Sequence, residues 1–392
     1  MKKIIYIIGF ILIVIGVYEN MNRLSDSKDK VLHIWVSREE YDVLKEVNPI
    51  FESLHQAQIK MQIVSSEQVI STLPLYTASL EYPDVITASH TLISELVSKN
   101  AISPISEVFE TFNILPIVMS GFKVKGEYYG IPYNAQTDIL FYDQEVYPEG
   151  ISSFYDFDED SEMSLVMDYQ NIYHINPFIT GFGGYTIGVD NFGDTNFYDI
   201  GINKEESVQG LSTMLGLLNK TVIYDDEFDI YQSFINKEAN LMIAPASLIT
   251  SLEQVYPSLG YQAIPNFKDD LLPYTYMKID TYQVTKLSQN KELAIEYLRF
   301  LLTEDVAALR YEKNQSIAPV DYENIISQDA YYGVVKKQLH RSVPLPNQAE
   351  FSYLYRPFAE AATHFLVVPN QIQKIMDDTV NQINEELENI MK

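Results

Sequence analysis

The sequence predicts an α/β fold, and three observations carry that prediction. Short apolar runs with strand character, VLHIWV (31–36), QIKMQIV (58–64) and YPDVITAS (82–89), recur near the N-terminus. The segments between them carry apolar residues at helical spacing. The rest of the chain keeps alternating apolar runs with amphipathic stretches, without a solenoid repeat or a low-complexity tract. Parallel strands need crossovers long enough for a helix, so this rhythm reads as a parallel sheet flanked by helices.

Taken in order, SDSKDK (25–30) is a polar linker ahead of the first strand. Ser37 and Glu40 then make the S-x-x-E pattern of a capping box, and the helix after it carries Tyr41, Leu44, Val47, Ile50, Phe51 and Leu54 at helical spacing. Helices are expected near 66–80 and over 91–99, flanking the third strand. An irregular region rich in Tyr, Phe, Asp and Gly extends to about residue 200. Helices follow over 203–220, 228–238 and 247–256, with strands at 239–245 and 261–267. Residues 290–313 form one long helix or two abutting ones, with Leu293, Tyr297, Leu298, Leu301 and Leu302 as the apolar stripe. The tail, 370–391, is an amphipathic closing helix.

The totals bound the function. A chain of 392 residues exceeds what one core supports, so roughly two domains are expected. With 46% hydrophobic and 12% aromatic residues it can build large cores. A formal charge of −27 excludes a nucleic-acid reader, which needs basic stripes, and opposes adsorption to anionic lipid. Cysteine is absent, so disulfides, thiolate metal sites and a lipidated-cysteine anchor are excluded together. Lys2 and Lys3 precede a 15-residue apolar run, Ile4–Tyr18, with no small-x-small cleavage site after it. Residues 1–24 therefore read as a signal peptide or an uncleaved signal-anchor, with the body exported. The protein is expected on the outer face of the cell membrane, or secreted if the segment is cleaved.

Catalytic and metal motifs are missing. There is no G-x-S-x-G, P-loop or H-E-x-x-H. GFGGYTIG (181–188) lacks dinucleotide spacing, and a tight turn at Gly183–Gly184 explains it better. DFDED (156–160) has calcium-loop spacing but Ser161 and Met167 where glycine and glutamate are required, which leaves a solvated acidic loop. The histidines at 33, 55, 90, 174, 340 and 364 show no ligand spacing. No enzyme activity, cofactor or metal is expected.

GEYYGIPYNAQTDILFYDQE (126–145) is the segment that asks for an explanation. It opens like a hairpin and runs into a strand whose middle holds Asn134, Gln136, Thr137 and Asp138, each of which needs a partner if buried. Together with VLHIWVS, YPDVITASHTLISELVSKNAISPI, FGGYTIG, FINKEANLMIAPASLITSL, YQAIPNFKDD and NKELAIEYLRFLLTEDVAALRYEKNQSIAPV, it forms an ordered set. In that order and spacing, residues 31–392 resemble the extracellular solute-binding proteins of carbohydrate ABC importers, the maltose/maltodextrin-binding family.

That resemblance implies a two-lobed, type II periplasmic-binding-protein-like fold with discontinuous lobes joined by hinge strands. Lobe 1 is expected at 31–134 and 264–315, lobe 2 at 137–262 and 317–392. It implies a monomer that closes on a carbohydrate ligand and delivers it to membrane permease subunits. A surface glycan receptor of the same fold, uncoupled from transport, is the alternative. Matching the family's pocket position by position implicates Ser37, Arg38 and Glu39 after the first strand, and Ser89 and His90 after the third. Asn134 and Gln136 match the hinge, and Asn171 and Tyr173 the aromatic platform. Ser247 matches the second-lobe loop, and Tyr353, Tyr355 and Arg356 the C-terminal segment. The family's stacking tryptophans are replaced by Ala88 and Pro245-Ala246-Ser247, while Trp35 is expected in the core.

Overall fold

The first strand, β1 (Lys30–Val36), lies between β2 (Ala57–Ile63) and β3 (Val85–Ser89), paired in parallel with both. The helix Arg38–His55 crosses from β1 to β2, as a parallel pair requires. This computed structural model describes residues 30–109, 111–154, 163–190, 195–218, 227–268, 270–322 and 329–390. The N-terminal apolar run and the acidic loop 156–160 lie outside them. Among the described residues no helix is long and apolar enough to cross a membrane.

A short hairpin of β4 (Lys123–Val124) and β5 (Glu127–Tyr128) turns at Lys125 and Gly126, both at positive φ. It leads into β6 (Ile131–Asp143), 13 residues long. From Ile131 to Thr137 this strand runs antiparallel to β12 (Thr275–Val284). From Asp138 onward it pairs instead with β10 (Leu241–Pro245) and β11 (Leu259–Gln262). Nine of the described strands thereby join in one sheet ordered β2-β1-β3-β12-β6-β10, with β7 (Leu165–Val166) beside β10, β11 beside β6 and β13 (Ser342–Pro344) beside β12. A small separate hairpin, β8 (Ile187–Val189) with β9 (Thr195–Ile200), follows the Gly183 turn.

Two apolar cores lie on this frame. One gathers β1, β3, β12 and the helices Arg38–His55 and Lys291–Leu301, and continues to the helices Glu227–Ile235 and Ala330–Leu339. Trp35 sits in it, fully buried and edge-on to Tyr76 at 5.1 Å. The other gathers the helices Ile172–Thr180 and Glu205–Leu217 and the closing helix Ile372–Ile390, whose Met376, Ile383 and Leu387 face inward.

Of the two readings of residues 290–313, the structure has the abutting pair, helices Lys291–Leu301 and Glu304–Asn314, parted at Thr303. Other expectations are corrected. The helix near 66–80 stops at Thr72 and tightens into a 3₁₀ turn, Leu73–Tyr76, because Pro74 removes a backbone donor. The capping box is half made: Ser37 Oγ accepts from Glu40 N at 3.2 Å, but the Glu40 carboxylate turns inward to Arg310. The sequence reading assigns no element to 268–289, where the structure has β12. Ile264, Phe267 and Tyr276 pack in the second core.

The crossing strands are held by buried polar groups. Thr137 Oγ1 lies 2.6 Å from Thr275 Oγ1 and 3.0 Å from Ser342 Oγ, and those two are 2.6 Å apart. Gln338 Nε2 donates to Thr275 Oγ1, while its Oε1 accepts from Ile264 N. Asp138 Oδ2 meets His174 Nδ1 at 2.6 Å. His90, fully buried, ties the end of β3 to β12 and to the segment after β13. Ile279 N–H donates to its Nδ1 at 3.1 Å, which leaves the proton on Nε2 to be donated to Leu345 O at 3.0 Å. That partnering fixes the neutral tautomer, because a second ring proton would face the Ile279 N–H. Burial pushes its pKa down to about 4.

Two outcomes follow. Thr137→Val leaves the Thr275 and Ser342 hydroxyls short of a partner and is expected to cost about 1–3 kcal/mol, read as a lower urea midpoint. An unchanged midpoint would show the network to be incidental. For His90, the unfolded imidazole binds its proton first, so stability is lost as pH falls from about 6.5 to about 4, by about 3 kcal/mol in total. Denaturant unfolding at pH 7 and pH 4.5 should show a larger acid loss for the natural chain than for His90→Gln. Equal losses would contradict a buried neutral imidazole.

Candidate functional site

Where β1, β2 and β3 end, their loops open onto a cleft of about 600 Å³ whose other wall comes from residues around 246–250 and 331–335. Ligands in open α/β sheets sit at the carboxyl ends of strands because helix N-termini and free loop amides converge there. Each loop is braced for the purpose. Ser37 N donates to Thr87 Oγ1 at 2.9 Å, and Ser89 N donates to Ser66 Oγ at 2.9 Å. Asn314 Nδ2 holds the Glu39 carbonyl at 3.0 Å.

The floor is the β6–β12 ladder. Alternation puts Asn134 and Gln136 on one face of β6, in register with Asp280 and Lys278 of β12. Asn134 Nδ2 donates to Asp280 Oδ2 at 2.9 Å, and its Oδ1 accepts from Ile317 N at 3.2 Å. With both ends committed, the amide cannot turn. Burial pushes the Asp280 carboxyl up, opposed by the Asn134 hydrogen bond; Glu40 and Glu39 add to the rise and Lys278 opposes it. Gln136 is the one exposed residue of the 13 in β6, so its side-chain amide is open to the cleft.

Behind the first loop lies a buried cluster. Arg310 grips Glu40 through Nε at 3.0 Å and Nη2 at 2.9 Å, and Tyr282 donates to the same carboxylate. The guanidinium also lies over the Tyr133 ring, 5.3 Å from its centre, and the Tyr133 hydroxyl reaches Ser37. Burial holds Tyr133 and Tyr282 protonated, well above the usual phenol range. The cluster fixes the helix that presents Ser37, Arg38 and Glu39.

Of the residues implicated by sequence, Ser37, Arg38, Glu39, Asn134, Gln136 and Ser247 line the cleft. Ser89 stands behind the wall, capping the 3₁₀ turn His90–Leu92. His90 does not face the cleft, for both ring nitrogens are spent on backbone. Asn171 caps the helix Ile172–Thr180 by accepting from Tyr173 N at 3.1 Å. Tyr173 donates to the Gln136 carbonyl at 3.3 Å, which sets its ring beside the crossing, 6.3 Å from Tyr276. Burial, with Asp138 and Tyr355 nearby, keeps its phenol well above the usual range. Tyr355, edge-on to Phe351, and Tyr353 are part-exposed on the second lobe. Arg356 points to solvent and pairs with Glu360 at 2.8 Å, one helical turn on, instead of lining the cleft.

The sequence reading missed Ser65, Ser66 and Glu67 after β2, along with Thr87, Tyr133 and Asp280. A usable signal existed for two of these sets. The carboxyl-end rule applies to β2 as it does to β1 and β3. In YMKID, Lys278 and Asp280 alternate with Met277 and Ile279, the same two-residue polar period as Asn134 and Gln136.

A family model described as bacterial extracellular solute-binding protein matches residues 50–323. The galactooligosaccharide-binding protein of Bacillus subtilis is 23% identical over 363 residues, covering 87% of this chain and 86% of its own. The maltodextrin-binding protein MdxE of the same organism is 20% identical over 393 residues, 93% and 92% of the two chains. The structure of the maltose-binding periplasmic protein of Listeria monocytogenes in complex with maltose superposes with a TM-score of 0.82 at 17% identity, covering 93% of this chain and 99% of that one. A cyclo/maltodextrin-binding protein complexed with maltotetraose gives 0.81 at 18% identity, with 92% and 98% covered. The fold is the two-lobed type II arrangement of these proteins, which are binding proteins rather than enzymes.

Proposed function

The chain belongs to the bacterial extracellular solute-binding proteins, and we propose that it captures a sugar or oligosaccharide in the cleft between its lobes and delivers it to an ABC importer. The observation that carries this reading is Gln136, alone exposed in a crossing strand that is otherwise buried and opening directly onto the cleft. Relatives named for galactooligosaccharide and maltodextrin binding support a glycan as the ligand class.

On this reading the first lobe holds 31–134 and the chain from β12 to 315, and the second holds the rest up to 392. Ser37, Arg38, Glu39 and Asn134 offer polar groups from the first lobe and crossing, and Ser247 offers one from the second. Tyr173, Tyr353 and Tyr355 supply ring faces for the apolar C–H surface of a pyranose, with hydroxyls for its edge. Closure brings the second-lobe rings over a ligand already seated on the first. A ligand that touches both lobes favours the closed state because only there are both sets of contacts made. The body acts outside the cell, tethered by residues 1–24 or released, and permease subunits are its partners.

Gln136→Leu removes one amide from the floor while leaving the backbone carbonyl that holds Tyr173. The expected result is about tenfold weaker sugar binding by calorimetry, with the unfolding midpoint kept. Unchanged affinity would take Gln136 out of the site.

A further inference from the structure

The cleft is unevenly charged. Among the described residues four carboxylates line it, Glu39, Glu40, Glu67 and Asp280, against one guanidinium, Arg38. Glu40 is neutralised in place by Arg310, 2.9 Å away and equally buried. Lys278, in register with Gln136, lies near enough to act on both Glu67 and Asp280, yet it is not among the lining residues. The balance left in the cleft is negative, and the chain as a whole, at −27, adds potential of the same sign.

Asp280 lines the cleft in register with Asn134. One oxygen is bound to Asn134, whose amide is locked by Ile317 and cannot rotate to greet an anion. An ionised carboxylate only accepts hydrogen bonds, so its complement is a hydroxyl or an ammonium group. A ligand carboxylate, sulfate or phosphate at the same place meets like charge in a half-enclosed cleft, where solvent screens poorly. Such placement is how a site rejects a competitor, by repulsion built against it.

Resting on the reading of the cleft as a sugar site, we propose that it sorts glycans by charge. It accepts sugars that are uncharged or carry an ammonium group and rejects those bearing carboxylate, sulfate or phosphate, with Asp280 as the discriminating residue. Glu67, in the first turn of the helix that follows β2, reinforces the selection from the first-lobe wall.

Calorimetry on the full chain tests this with neutral disaccharides (maltose, cellobiose, galactobiose), their uronic acid counterparts and their amino-sugar counterparts. Whichever neutral sugar binds, its uronate should bind at least about 30-fold more weakly and its amino form at least as tightly. Asp280→Asn should narrow the neutral-to-uronate gap about tenfold. Glu67→Gln, at an exposed position in the first turn of the helix Ser66–Thr72, should narrow it to a smaller extent. A uronate that binds as tightly as its neutral partner, or a gap that neither variant changes, would overturn the proposal and leave the sugar reading standing. No binding by any member would overturn both.

Discussion

Up to Thr137, β6 is bonded to β12; from Asp138 it is bonded to β10 and β11. One strand therefore belongs to both lobes, and every polar side chain at the change of partner has to be met where the chain crosses. Four different solutions stand side by side. Asn134 spends its amide on Asp280 and Ile317, and Gln136 goes to the cleft. Thr137 enters a hydroxyl network, and Asp138 takes His174 through Oδ2, its buried Oδ1 making no hydrogen bond among the described residues. An unmet polar group here would cost about 1–3 kcal/mol, a large share of a typical domain's margin. The polar run thus fixes the register of the crossing, and the register fixes which groups face the ligand.

The same ladder couples the cleft to the second lobe. Tyr173 reaches the Gln136 carbonyl, so an aromatic ring of the second lobe is referenced to the floor and not only to its own helix. On the first-lobe side, the Glu40–Arg310 pair and the Tyr133 ring position the loop that offers Ser37 and Arg38. A buried ion pair gives little net stability compared with an apolar replacement, but removal of one partner strands a charge. Its value here lies in fixing geometry.

Much of the fold was legible because local patterns and tertiary packing agree. VLHIWV, YPDVITAS and ANLMIAP are apolar runs bounded by turn residues, and they became buried strands. The strand β12 escaped notice since TYMKIDTYQV mixes lysine, aspartate and glutamine with apolar residues, and its identity rests on long-range pairing with β3 and β6. Glu40 illustrates a second limit: its spacing from Ser37 signals a cap, while Arg310, 270 residues away, claims the carboxylate. His90 and Arg356 were matched to the cleft by position in the chain. What decides their roles is the Ile279 N–H and the Leu345 carbonyl in one case and Glu360 in the other, none of which spacing reveals. Gln136 too was matched by position in the chain, and it is the exposed residue of β6, on the cleft floor.

Function on this account depends on the two lobes moving together around a glycan across the β6–β12 crossing. Small-angle scattering, with and without each member of a broad sugar panel, tests that most directly. A fall in the radius of gyration with at least one sugar, reversed on dialysis, is the predicted result. A radius unchanged by every sugar that binds would contradict it.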